Sequence, residues 1–241
     1  MVDLCGFAVE ECSPPLAFSR DPTFRCLIGR CDVVPENLVE GMLDHTFVEA
    51  AEVNRFRVLR RRAEHVTGRH LLLRVLQQWL PDPLPFLSIR RDDHRAPHLV
   101  GWTDDNPPFI SISHTNGIAL VAVCTSPVGI DAEPRHAVRH SGLKHEIMAQ
   151  AEVEVLGHSA DEPEIINRVW TAKEAIQKAC GLGMRLVPAM IPLVNDLGTD
   201  PFSKVVQIQN PALTAHVINW EDCRSNGSLI VAVALIEPNP I

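Results

Sequence analysis

Leu120-Val121-Ala122-Val123-Cys124 returns late in the sequence as Ile230-Val231-Ala232-Val233-Ala234. Each run is short, wholly apolar and rich in β-branched residues, the pattern of a buried strand. Each follows a stretch that contains a long helical pattern. A duplicated α+β unit, with halves meeting near residues 125–130, accounts for the echo. Two buried strands also look alike by chance, so the echo alone leaves both explanations open.

The neighbouring segments supply the elements such a unit needs. Phe109-Ile110-Ser111-Ile112-Ser113-His114 alternates like a half-buried strand, and Asn116-Gly117 is a hairpin signal. Val128 to Glu133 reads as a further strand. Upstream, residues 35–80 hold almost no Pro or Gly and read as helix broken once. The second helix is expected from Glu49 to Trp79, with Pro81, Pro83 and Pro85 ending it and a short strand following from Phe86 to Arg90. The first forty residues carry Pro14, Pro15, Pro22 and Pro35 and read as short strands and turns. Downstream, helices are expected over His145–Leu156 and Glu164–Cys180, stopped by Gly181 and Gly183. Strands are expected over Val205–Gln209, Leu213–Asn219 and Ser228–Glu237.

The expected architecture is therefore α+β. It is a pseudo-twofold duplication of two similar lobes, each a long helix packed on an antiparallel sheet. At 241 residues the chain is long enough for two small cores. The lobes are expected at 1–127 and 128–241, in a monomer.

Hydrophobic residues make up 46% and charged residues 22%, the balance of an ordinary globular domain. No apolar run reaches membrane-span length, and Met1 to Phe7 lacks a basic leader, so neither a span nor a secretory signal is expected. None of the seven cysteines is spaced as C-x-x-C, which disfavours a zinc site and suits reduced thiols in the cytoplasm. The net charge of −8 disfavours nucleic acid. The charge is uneven, however. Between Arg55 and Arg95 stand ten arginines (55, 57, 60, 61, 62, 69, 74, 90, 91, 95) against four acids (Glu64, Asp82, Asp92, Asp93). Arginine suits planar recognition of phosphate, and a solvated helix face explains such a cluster equally simply.

Val128-Gly129-Ile130-Asp131-Ala132-Glu133-Pro134 places two carboxylates on one face of an extended segment. On a core strand they repel and lose hydration without a cation or arginine partner; on an edge strand a wet face removes the problem. About forty residues on, Trp170-Thr171-Ala172-Lys173-Glu174-Ala175-Ile176-Gln177-Lys178 reads as helix. Ile165, Val169, Ala172, Ile176 and Ala179 form its apolar face, and Trp170, Glu174 and Lys178 the opposite stripe. Alone, Glu174 and Lys178 make an exposed ion pair. With Asp131 and Glu133 they make three carboxylates and an ammonium, a set suited to a hard divalent cation and a phosphate. Ser113-His114 ends a strand beside the basic region, where a histidine is either solvated or a phosphate contact.

Together these residues resemble the 4′-phosphopantetheinyl transferases. That family carries a G-[IV]-D-x-E segment, here Gly129 to Glu133, and a W-[ST]-x-K-E-[AS]-x-x-K segment about forty residues later, here Trp170 to Lys178. It also carries a Ser-His step, here Ser113-His114. The length resembles the two-lobed monomeric class. Arg60 to Arg69 and Arg95-Ala96-Pro97 resemble the branch containing the enterobactin synthase component D. The likeness spans roughly residues 55 to 190, and Arg95-Ala96-Pro97 departs from the Gly-Lys-Pro of many relatives.

The resemblance implies transfer of 4′-phosphopantetheine from coenzyme A to a serine of an apo acyl or peptidyl carrier protein, with 3′,5′-ADP released. It implies Mg²⁺, with Mn²⁺ as a substitute, held by Asp131, Glu133 and Glu174. Glu174 would also take the serine proton and Lys178 would stabilise the leaving phosphate. Arg61, Arg69, Arg95, Pro97, Ser113, His114 and Lys178 are the expected coenzyme A contacts, and Gly181–Gly183 an approach for the pantetheine arm. The site is expected where the lobes meet. A metal-dependent phosphohydrolase would share the carboxylates, and a non-catalytic coenzyme A or carrier-binding module would need fewer of them.

Overall fold

The structure is a computed structural model. It describes residues 3–13, 15, 18–19, 21–43, 47–80, 87–102, 106–140, 142–193, 202–209, 212–223 and 228–237. The chain divides into two compact units. The first holds Met1–Asp93 and Pro97–Thr125; the second holds His94–Ala96 and Ser126–Ile241.

The first unit is a four-stranded antiparallel sheet under one long helix. Its strands are β1 (Ala8–Glu11), β2 (Cys26–Asp32), β5 (Phe109–Thr115) and β6 (Ile118–Cys124), in the order β1-β2-β6-β5. A separate hairpin pairs β3 (Ser88–Arg91) with β4 (Pro97–Val100). Asn116 and Gly117 both have positive φ, 44° and 80°, and join β5 to β6 in a two-residue turn whose twist matches the strands.

The helix expected from Glu49 to Trp79 is two pieces, a single turn α1 (Ala50–Val53) and α2 (Leu59–Trp79). The break has a local cause. The Phe56 carbonyl accepts a hydrogen bond from Arg62 Nε at 2.8 Å, and the Phe56 ring packs on His65, so residues 54–58 fold back on the start of α2. Residues 35–42 form short 3₁₀ turns instead of the expected α-helix. Leu80 is extended, as the residue before a proline must be. Pro81, Pro83, Pro85 and Phe86 lie outside the described residues, and the strand expected from Phe86 runs over Ser88–Arg91.

α2 buries Ala63, Val66, Leu71, Leu72, Val75 and Leu76 against Leu27, Cys31, Ala119, Val121 and Val123. Gly29 lies beneath it, where a Cβ would come within 2.3 Å of Val75 Cγ2.

The second unit repeats the plan. β7 (Val128–Pro134), β8 (Phe202–Gln209), β9 (Ala212–Asp222) and β10 (Leu229–Ile236) form an antiparallel sheet in the order β7-β10-β9-β8. The helix expected over His145–Leu156 is split into α3 (Leu143–Ile147) and α4 (Gln150–Leu156) by an extended Met148. α5 (Pro163–Ala179) packs Ile165, Val169, Ala172, Ile176 and Ala179 into the core with Ala232, Ala234 and Ile236, as its apolar stripe predicts. In each unit the strand before the long helix pairs with the last strand of the unit: β2 with β6, β7 with β10.

The two echoed pentapeptides lie on these matching last strands, but one residue out of phase. On β6, Ala119, Val121 and Val123 face the α2 core. On β10, Ala232 and Ala234 face the α5 core. Val121 and Val231 therefore point to opposite faces of their sheets. The duplication is one of topology, and the sequence likeness does not follow it. No helix among the described residues is long and apolar enough to cross a membrane.

Candidate active site

The contact between β7 and α5 builds the first cluster. At Gly129 the strand lies directly on helix backbone: a Cβ there would sit 1.9 Å from Ala175 O and 2.5 Å from Ala179 N. Only glycine permits this approach. Because side chains alternate along β7, Asp131 and Glu133 share the helix-facing side with Gly129. The turn of α5 above them carries Trp170, Glu174 and Lys178 on one stripe.

Lys178 Nζ donates to Asp131 Oδ1 at 2.7 Å and to the Ile130 carbonyl at 3.1 Å. Asp131 is 3% exposed. Glu133 is held from both sides: Trp170 Nε1 donates to Oε1 at 3.2 Å, and Arg139 Nη2 lies 2.5 Å from Oε2. Arg139 is itself aimed by Asn167, whose Oδ1 accepts from Arg139 Nε at 2.8 Å. The Asn167 amide donates to the carbonyls of Arg135 and Ala137, pinning the turn after β7.

Burial and neighbouring charge both act on this cluster. Burial first, then the charge of Asp131, push the Glu174 carboxyl up to about 7; Lys178 opposes this, and Glu133 and a hydrogen bond with Asp131 add to it. Burial and Asp131 likewise raise Glu133 above the usual carboxylate value, against Arg139 and Trp170. Burial works against the Lys178 ammonium, but Asp131 and Glu174 outweigh it and its pKa lies above the ordinary lysine value.

Among the described residues no three His, Cys, Asp or Glu side chains are gathered as around a bound ion. Lys178 and Arg139 instead supply the positive charge. The donor set still fits a hard dication: every candidate ligand is a carboxylate oxygen, and the three carboxylates stand against two cations, Lys178 and Arg139.

Lys173, which directly precedes Glu174 on α5, is fully buried. It donates to Glu152 Oε2 at 2.5 Å and to the Ile147 carbonyl at 2.7 Å. Glu152 also accepts from the Ala149 and Leu193 amides. This pair ties α5 to α3, α4 and the segment at Leu193.

The first unit holds two arginine-rich hubs, each centred on one carboxylate. Glu64, 3% exposed, receives Arg60 Nε and Arg61 Nη1, both at 3.0 Å, and lies 3.3 Å from His114 Nδ1. Arg61 and His114 keep exposed edges, while the adjacent Ser113 is buried. Glu52 receives Arg69 at 3.2 Å, Arg91 at 3.1 Å and His65 at 3.5 Å. Arg69 is buried, and that burial draws its pKa below the ordinary arginine value. Burial, then Arg69, push His65 down to about 4. The basic region is thus a solvated face at Arg60 and Arg61 and a buried ionic layer at Glu64, His65 and Arg69.

Arg95 belongs to the second unit. It has a positive φ of 68°, and its neighbours His94 and Ala96 lie against Gly183 and Gly181, in the turn that follows α5. Pro97 opens β4 in the first unit.

Arg139, Asn167, Glu52 and Glu64 were not among the candidates read from sequence, and Trp170 was read only as the head of the stripe. Glu64 was findable, since it stands four and three residues beyond Arg60 and Arg61 on one helix face. Arg139 and Asn167 meet only through the fold.

Two family models match the chain. The 4′-phosphopantetheinyl transferase superfamily matches residues 127–234. The 4′-phosphopantetheinyl transferase N-terminal domain matches residues 49–124. No curated protein matches.

Proposed function

The chain belongs to the 4′-phosphopantetheinyl transferase superfamily and is an enzyme of that kind, and from that premise we propose that its donor is coenzyme A and its acceptor a serine of an apo carrier protein. The serine oxygen attacks the pyrophosphate phosphorus that bears pantetheine. The bond from that phosphorus to the bridging oxygen breaks, and 3′,5′-ADP leaves.

The observation that carries this reading is the meeting of Asp131, Glu133, Glu174 and Lys178 across the β7–α5 contact. Asp131, Glu133 and Glu174 are the residues that would hold Mg²⁺ or Mn²⁺, and the ion when bound would neutralise charge on the pyrophosphate. Glu174 takes the proton of the serine hydroxyl. Lys178 is the cation that meets the leaving phosphate. Arg61 and His114 are assigned to the 3′-phosphate of coenzyme A, with Arg69, Arg95, Pro97 and Ser113 as further contacts. The carrier belongs to fatty acid, polyketide, siderophore or nonribosomal peptide synthesis. We place the enzyme in the cytoplasm as a monomer, a setting that suits seven cysteines with no disulfide among them.

The test is mass spectrometry of several apo carriers after incubation with coenzyme A and Mg²⁺. A gain equal to phosphopantetheine, with 3′,5′-ADP in the supernatant, supports the reading. Loss of coenzyme A without a gain on any carrier would indicate a phosphohydrolase and overturn it.

A further inference from the structure

Three cysteines stand in one row across three neighbouring chain segments of the first unit. Cys26 is directly opposite Cys124 in the β2–β6 ladder. The β1–β2 register runs to Glu11 opposite Leu27, and one residue on, the Cys12 amide donates to the Cys26 carbonyl at 2.9 Å. Cys12 is therefore opposite Cys26 on its other side. Directly opposed side chains point to the same face of a sheet. Cys31 and Leu27 face the α2 core, so the row lies on the face away from that helix.

The members of the row differ in access. Cys26 and Cys124 are fully buried, and Cys12 is half-buried just beyond the end of β1. The geometry suits a covalent link. Opposed residues on antiparallel strands have Cα atoms about 4.5–5.5 Å apart, inside the roughly 4.4–6.8 Å of disulfides. The row does not gather as a metal site, since no three such side chains among the described residues are placed to hold an ion. Three cysteines in contact, one of them open to solvent, suit thiol oxidation instead.

We propose that Cys12 and Cys26 are a peroxide-responsive thiol pair, with Cys12 as the attacking sulfur and Cys26 as the resolving one. The Cys12 thiolate attacks one oxygen of hydrogen peroxide. The O–O bond breaks, the second oxygen leaves as water after taking a proton, and Cys12 becomes a sulfenic acid. The Cys26 sulfur then attacks the Cys12 sulfur, loses its own proton and expels a second water. Two thiols are oxidised and one peroxide is reduced. The environment favours this division of labour. The Cys26 thiol donates to the Cys12 sulfur and holds its pKa below the ordinary value against the effect of burial. Cys26 is pushed well above that value by the same contact and by Cys124. The product fastens residue 12 to β2 by a bond that reductant reverses.

The experiment treats the reduced full chain with a small excess of hydrogen peroxide, blocks free thiols with an alkylating agent, and maps the peptides. The expected result is loss of two hydrogens and a Cys12–Cys26 link, with Cys5 and Cys223 alkylated. Cys12→Ser should abolish the link and Cys124→Ser should keep it. In Cys26→Ser the sulfenic acid should persist on Cys12 and be trapped by a cyclic 1,3-diketone. If the buried Cys26 variant does not fold, the map of the native chain and of Cys12→Ser decides the matter. A Cys26–Cys124 link with Cys12 free would overturn the proposal, as would alkylation of Cys12 to the same extent as Cys5 and Cys223.

Discussion

Gly129→Ala is the substitution whose cost follows most directly from the geometry. Its Cβ would sit 1.9 Å from Ala175 O, about 1.5 Å inside the 3.4 Å at which ordinary contact begins. The obstacle is main chain, so no rotamer change relieves it. Either β7 or α5 must move by about that distance. Overpacking of a core ordinarily costs about 1–3 kcal/mol, and a rigid backbone clash belongs at the upper end, about 3 kcal/mol or more. For a chain of this length each kcal/mol shifts Tm by about 2–4 °C, so the expected loss is roughly 6–12 °C.

Gly29→Ala is the matched control. Its nearest neighbour is a side-chain atom, Val75 Cγ2 at 2.3 Å, and the next is Leu71 Cδ1 at 3.4 Å. Gly29→Ala should therefore also destabilise, but Val75→Ala in the same chain should recover most of that loss. No side-chain truncation should rescue Gly129→Ala. The assay is thermal unfolding followed by circular dichroism, with transfer activity measured on the folded fraction. Activity should fall by about 10²-fold, because a displacement near 1 Å separates groups that must act together, here Lys178 Nζ and Asp131 Oδ1 at 2.7 Å. A Gly129→Ala protein within 2 °C of the native Tm would refute the reasoning.

Further outcomes follow from the same groups. Without divalent cations, stability should fall as pH rises from about 4.5 to about 7, because the Glu174 carboxyl is raised and the folded state prefers it protonated; Glu174→Gln should flatten that part of the Tm profile. Lys173→Met strands the buried Glu152 carboxylate and should cost about 3–5 kcal/mol in urea unfolding, while Lys173→Met with Glu152→Gln should cost less than the single change. Arg61→Gln removes an ion pair exposed on the arginine side, so its stability cost should stay within about 1 kcal/mol; steady-state kinetics should show a raised KM for coenzyme A and little change for dephospho-coenzyme A.

What the sequence made legible is what local pattern encodes. The α5 stripe, the Asn116-Gly117 turn and the same-face pair Asp131/Glu133 depend on spacing alone, and each is present in the structure. The strands from Val205 onward were found with their ends displaced by a few residues. α2 was harder because its inward face carries Glu64, His65, Arg69 and His70, which composition assigns to solvent. Their burial depends on Glu52 and His114, which lie on other elements. The break at residues 54–58 depends on a side chain reaching back to a carbonyl, which no helical periodicity records. The echoed pentapeptides pointed to a duplication that the strand orders bear out, yet they are out of phase with it. Burial on both faces makes such strands uniformly apolar, so their sequence carries no phase.

The pairing of β7 with β10 has a consequence during synthesis. Asp131 is opposite Ala232, about a hundred residues later in the chain, and a ladder between such distant partners closes late. When the Asp131 strand and even the Glu174 helix have left the ribosome, the sheet that supports them still lacks its central strand. β10 is the strand that joins β7 to β9, so the Asp131 strand is tied into its sheet by a partner made about a hundred residues later. A stop codon ahead of β10 would remove no proposed site residue, yet it would strip Asp131 and Glu133 of the strand that pairs with theirs.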